Sequence, residues 1–167
     1  MSETVHLLAA VYPDLDQGKF AFNLLQKMHR GATITLVDSA LISKNEKGKI
    51  KIEETTELTA SKGARRGAII LGVIGLIYPP SLIGTVLAGG GIGAIAGRLR
   101  DTGIKNQQLN EIADRLENGK SAVIALVDDE STAAVQRALE GCEGELIIRV
   151  LDDETVKELY KAAGSGL

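Results

Sequence analysis

Few residues in this 167-residue chain are of the types that do chemistry, and spacing decides what each could do. Acidic residues gather at Asp14 and Asp16, at Asp128-Asp129-Glu130 and at Asp152-Asp153-Glu154. Brought to one sheet edge, such carboxylates would suit a hard cation, which wants several oxygen ligands. Each group also falls where a helix should begin. There an aspartate accepts backbone N–H groups and its charge suits the helix dipole, so capping is the more economical reading and no metal is expected. His6 falls in an apolar run and His29 near a helix end, where a cation would complement the dipole; neither has local cysteine or glutamate at metal-ligand spacing. Cys142 is the only cysteine, which excludes an internal disulfide and fits a reducing compartment. It has no Cys-x-x-Cys partner or basic neighbourhood to lower its pKa, so it reads as a loop thiol.

Gly91-x-Gly93-x-x-Ala96, with Asp114 beyond it, matches a loose dinucleotide fingerprint. That motif should join a strand to a helix and present backbone amides to a pyrophosphate, whereas here it sits inside an apolar Gly/Ala repeat. No cofactor is therefore expected. No nucleophile has a recognisable base nearby, so no catalytic residue is assigned and an enzyme is not expected.

The elements that would position these residues can be read from apolar periodicity. Val5 to Tyr12 is an apolar run of strand length, followed by turn and helix-start residues from Pro13 to Asp16. Phe20, Leu24, Leu25 and Met28 recur at helical spacing up to Gly31. Thr33 to Ile42 is rich in β-branched residues and Ile50 to Thr56 alternates apolar with charged; Asn45-Glu-Lys-Gly48 between them predicts a hairpin turn. Further along, the pattern predicts a helix over Gln107 to Glu117, a strand over Ser121 to Val127, a helix over Ser131 to Leu139, a strand over Glu145 to Leu151 and a helix over Thr155 to Ala163.

Strand, helix and strand thus occur twice, once from Val5 and again from Ala122. Two such units commonly build a sheet with helices on one face, so the expected class is α+β: a ferredoxin-like sandwich of two βαβ halves. Its expected extent is residues 1–61 and 101–167, with residues 62–100 inserted as a glycine-rich helical hairpin.

Composition points to the same insertion. The chain is 44% hydrophobic but only 3% aromatic, with 19 glycines, and Gly67 to Gly97 holds 31 residues without a charge. Pro79-Pro80 cannot sit inside a helix, because proline lacks the donor and the residue before it avoids the α region; two arms around a turn are expected. Gly84, Ala88, Gly89, Gly93 and Gly97 mark the second arm, and Ala68 and Gly72 the first. Small residues four apart share one helix face and let two backbones approach closely. Since each interior glycine costs about 1 kcal/mol relative to alanine, such a helix must be packed.

A single span needs roughly 20 apolar residues, so arms of 12 and 17 residues, Gly67 to Tyr78 and Ser81 to Gly97, leave membrane insertion and burial in an oligomer both open. Lys62, Arg65 and Arg66 before the stretch, and Arg98 and Arg100 after it, would hold both ends on the cytoplasmic side. The expected partner is another copy of the chain, with an anionic lipid membrane as the alternative surface. A net charge of −3 argues against general nucleic-acid binding, and the Met-Ser-Glu-Thr start does not read as a secretory signal. The expected location is the cytoplasmic face of the inner membrane, or the cytoplasm as a soluble oligomer. A soluble ferredoxin-like domain that binds a small ligand is the alternative reading.

The chain resembles the bacterial family filed as domain of unknown function 1269, often labelled a predicted membrane protein. The resemblance rests on Leu8-Ala-Ala-Val-Tyr, on Lys47-Gly-Lys-Ile-Lys-Ile, on Glu57-Leu-Thr-Ala-Ser-Lys-Gly-Ala leading into the glycine-rich stretch, and on Arg100-Asp-Thr-Gly-Ile leaving it. It implies an intracellular protein with a glycine-rich central segment, and supplies no catalytic residues.

Overall fold

Val5–Tyr12 forms strand β1, buried along almost its whole length because it lies inside the sheet. The computed structural model describes residues 4–55, 70, 72–75, 77–78, 82–85, 107–151 and 153–165. After β1, the Asp14 carboxylate accepts the Gln17 N–H at 2.8 Å and starts helix α1, Leu15–Arg30, as its capping position predicts. Strands β2, Leu36–Lys44, and β3, Ile50–Thr55, follow with the expected hairpin between them. There Gly48 takes a positive φ of 78°, and the Asn45 side chain accepts the N–H groups of Lys47 and Lys49. Strand β4 is Ile83–Thr85, and then come α2, Gln107–Arg115; β5, Ser121–Asp128; α3, Thr132–Gly141; β6, Glu145–Leu151; and α4, Asp153–Ser165.

The six strands lie in the order β4-β3-β2-β5-β1-β6. Every neighbouring pair is antiparallel except β3 with β4, which is parallel. The molecule is therefore a mixed α/β structure. Side chains alternate across β1, so Leu8, Ala10 and Tyr12 face α1 and α3 while Leu7, Ala9 and Val11 join the opposite core. Gly18 lets α1 come close to β5: a Cβ there would meet the Ser121 Oγ at 2.1 Å, the oxygen that donates to the Asp14 carbonyl.

Two expectations change. Helices were expected on one face only, but both are covered: α1 and α3 take one, while α2, the contact made by Val156 of α4, and helical residues 70, 72–75 and 77 take the other. Sheet side chains that are apolar on both faces require this. The second correction concerns Gly84. It was placed on the second helical arm, but it lies in β4, because residues 83–85 continue the sheet beside β3 and satisfy their backbone there.

Candidate functional site

Among the described residues the most informative site is where the sheet receives the glycine-rich stretch. Ile70, Val73, Ile74, Ile77, Tyr78 and Ile83 are all buried in one cluster with Ile42, Ile52 and Ile124 of the sheet and Ile112 of α2. The spacing of 70, 73, 74 and 77 is that of one helix face, and the Tyr78 N–H donates to the Ile74 carbonyl at 2.9 Å as in a helical turn. Gly72 lies in this helical run and is buried with it.

A buried acid holds Ile70, the first described residue of the run. A register shift between Leu36 and Asp38 in the pairing of β2 with β5 adds one residue to β2. Such a bulge places two successive residues on one face. Val37 consequently packs on the same core as the helical run, and Asp38 stands opposite Leu126 of that core instead of turning away. Asp38 is 0% exposed; its Oδ1 accepts the Ser39 N–H at 2.9 Å and its Oδ2 accepts the Ile70 N–H at 3.1 Å. The carboxylate thus ties β2 directly to the backbone of the helical run. Periodicity gave no hint of this. An aspartate inside an apolar strand is the only signal that could have marked it.

The other end of the run carries Tyr78, whose buried hydroxyl has no hydrogen-bond partner among the described residues. Burial pushes its ionisation above the ordinary tyrosine range, and the Asp114 carboxylate adds to the shift. The raised value belongs to the fold, so the stabilising effect is complete below the pKa of free tyrosine and is lost as pH rises above it towards the folded value. Removing an unpaired buried hydroxyl leaves no stranded partner. Tyr78→Phe should therefore melt within about 1 kcal/mol of wild type at neutral pH and keep more of its stability in alkali. A set of melts from neutral to alkaline pH checks both; a large neutral loss would mean that the hydroxyl has a partner.

The remaining candidates have structural roles or lie elsewhere. The Asp128 carboxylate accepts the Ser131 N–H at 2.8 Å just before α3, and Asp153 and Glu154 sit in the first turn of α4, in keeping with the capping reading. His29 lies in the last turn of α1 as expected, and its Nδ1 also accepts the Leu36 N–H at 3.2 Å, tying α1 to β2. His6 Nε2 is 3.7 Å from Asp129, and its buried Nδ1 has no partner among the described residues. Burial pushes the Cys142 thiol up, away from the thiolate that reacts. Among the described residues no group of three or more His, Cys, Asp or Glu could hold a metal. Ala68, Pro79, Pro80, Ala88, Gly89, Gly93 and Gly97, and the basic flanks Lys62, Arg65, Arg66, Arg98 and Arg100, lie outside the described residues.

The model of a family described as protein of unknown function, DUF1269, matches residues 64–164. The chain belongs to this family. The DUF1269 match begins beside the glycine-rich stretch and runs through α2, β5, α3 and β6 into α4. The first strand and the β2–β3 hairpin, which also carried the sequence resemblance, precede the match. No curated protein and no solved structure matches the chain. Among the described residues of this DUF1269 protein, no helix is long and apolar enough to cross a membrane.

Proposed function

We propose that the chain is a self-associating protein without a catalytic role, in which a ferredoxin-like core carries a glycine-rich segment that packs against the same segment of other copies. The fold part of this reading is supported by the strand order β2-β5-β1-β6: the strands of the two βαβ halves interleave antiparallel, with α1 and α3 on one face.

The observation that carries the reading is the fate of the first apolar arm. Ile70, Val73, Ile74 and Ile77 are spent on the protein's own sheet, and a surface packed there has nothing to offer lipid. Strand β4 then occupies residues 83–85. Of the uncharged stretch, 12 residues remain from 86 to 97, fewer than the roughly 20 that a span needs. These 12 include Ala88, Gly89, Gly93 and Gly97, whose spacing suits close backbone approach between helices. Packing between copies fits this segment better than a double crossing of the bilayer.

Intact chain in cell lysate is expected to leave the membrane fraction in an alkaline carbonate wash, and to scatter light as a discrete multimer without detergent. Gly93→Leu should lower that mass. Retention in washed membranes would overturn the assembly reading in favour of membrane docking, and an unchanged Gly93→Leu multimer would remove the glycine face from it.

A further inference from the structure

The apolar residues of α1 fall on two faces of the helix. Ala21, Phe22 and Leu25 are buried in the core that α1 shares with the sheet and α3, and Leu15 and Met28 pack against that core. Phe20 and Leu24 belong to neither core. Phe20 is 68% exposed, and Leu24, one turn further on, is half-buried. With the exposed residues Gln17 and Lys27 they recur at alternating intervals of three and four, the spacing of a seam along which one helix packs on another. The two ends of the helix are opposite in charge. Asp14 and Asp16 stand at its N-terminal end and Lys27 and Arg30 at its C-terminal end; all four are exposed, and none is in an ion pair among the described residues.

We infer that this face of α1 is a docking surface for α1 of a second copy, packed antiparallel about a two-fold axis at the level of Phe22. The seam itself selects that occupant. Phe20 and Leu24 lie equally far from the level of Phe22, and so do Gln17 and Lys27. The axis therefore sets Phe20 of each copy against Leu24 of the other, and Gln17 against Lys27, at two symmetric places. It also lays the acidic end of each helix beside the basic end of the other, with the helix dipoles opposed. A parallel pair would instead stack Asp16 on Asp16 and Lys27 on Lys27. An anionic lipid surface would meet the Asp16 carboxylate together with the Lys27 ammonium, so a second copy matches the charges better than lipid does.

The contact uses no residue of the glycine-rich stretch, so its test is run on the Gly93→Leu chain, with mass read by sedimentation equilibrium over a range of concentrations. A dimer that dissociates on dilution is expected. Phe20→Glu should raise its dissociation constant roughly tenfold or more while the chain keeps its melt, since Phe20 supports neither core. Gln17→Glu should lower the constant about threefold by adding an ion pair with Lys27 at both symmetric places, and Gln17→Lys should raise it. Damage to the fold cannot produce that gain. A monomeric Gly93→Leu chain alongside a multimeric wild type would overturn the α1 pairing and leave the glycine reading intact. An unchanged dissociation constant in Phe20→Glu would overturn it as well, and equal affinities for Gln17→Glu and Gln17→Lys would overturn the antiparallel register. A monomer that sediments with phosphatidylcholine–phosphatidylserine vesicles, and loses them in Phe20→Glu, would give the face to a lipid surface instead.

Discussion

Asp38→Ala should destabilise the protein by about 4 kcal/mol and lower its melting temperature by roughly 10 °C, the largest loss expected from any single side chain outside the apolar core. The carboxylate is fully buried and accepts N–H groups from Ser39 and from Ile70, 32 residues away. Alanine accepts from neither. A buried donor left unpaired costs about 1–3 kcal/mol, and two are stranded here. Asp38→Asn keeps one oxygen acceptor while presenting an NH2 group to one of the two donors, so about half the loss is expected. Hydrogen exchange separates this local role from general damage: the amides of Ile70, Val73 and Ile74 should lose protection in Asp38→Ala before those of β1 and β5. An Asp38→Ala protein that melts like wild type would mean that the helical run is held by its apolar face alone.

Gly144→Ala is expected to cost about 3 kcal/mol, for a reason of space. A Cβ at Gly144 would lie 2.7 Å from Cζ of Tyr12, 2.8 Å from its hydroxyl oxygen and 2.9 Å from Cε1. The Tyr12 ring has nowhere to go: it is 0% exposed, and its hydroxyl donates to the Leu139 carbonyl at 3.1 Å. Shifting it would break that bond and press on the core beneath α3. Tyr12→Phe is the informative control. The Leu139 carbonyl also accepts the N–H groups of Cys142 and Gly144, so losing the hydroxyl alone should cost about 1 kcal/mol. Denaturant melts of the two variants should therefore differ by a clear margin, and equal losses would refute the steric account.

That turn also shows how residue type can mislead. A glycine just past a helix usually serves a left-handed backbone position. Here Glu143 takes the positive φ, 65°, and Gly144 is small because an aromatic ring lies against it. The end of α1 repeats the substitution, with Gly31 at φ −81° and Ala32 at φ 59°. Gly31 marked the end of α1 correctly, but only the packed neighbours reveal what Gly144 is for.

By itself the sequence determined the local elements. Strands β1 and β6 and the start of α2 fall where apolar runs and helical spacing put them, and Asp14 caps α1 as its position before an amphipathic stretch requires. Local chemistry suffices there, since periodicity and caps act within a few residues. Tertiary structure decided the rest. The residues around Ile70 read as an arm of an inserted helical hairpin, yet they are buried on the protein's own sheet; strands apolar on both sides require a cover but do not say which segment supplies it. Residues 83–85 carry no strand signature of their own and become β4 only because β3 offers an open edge. The bulge that brings Asp38 to face Ile70 is fixed by pairing between β2 and β5, strands some 80 residues apart in the chain. Spacing along a chain specifies which face of an element is apolar; what that face meets depends on contacts between distant segments, and these exist only once the sheet has formed.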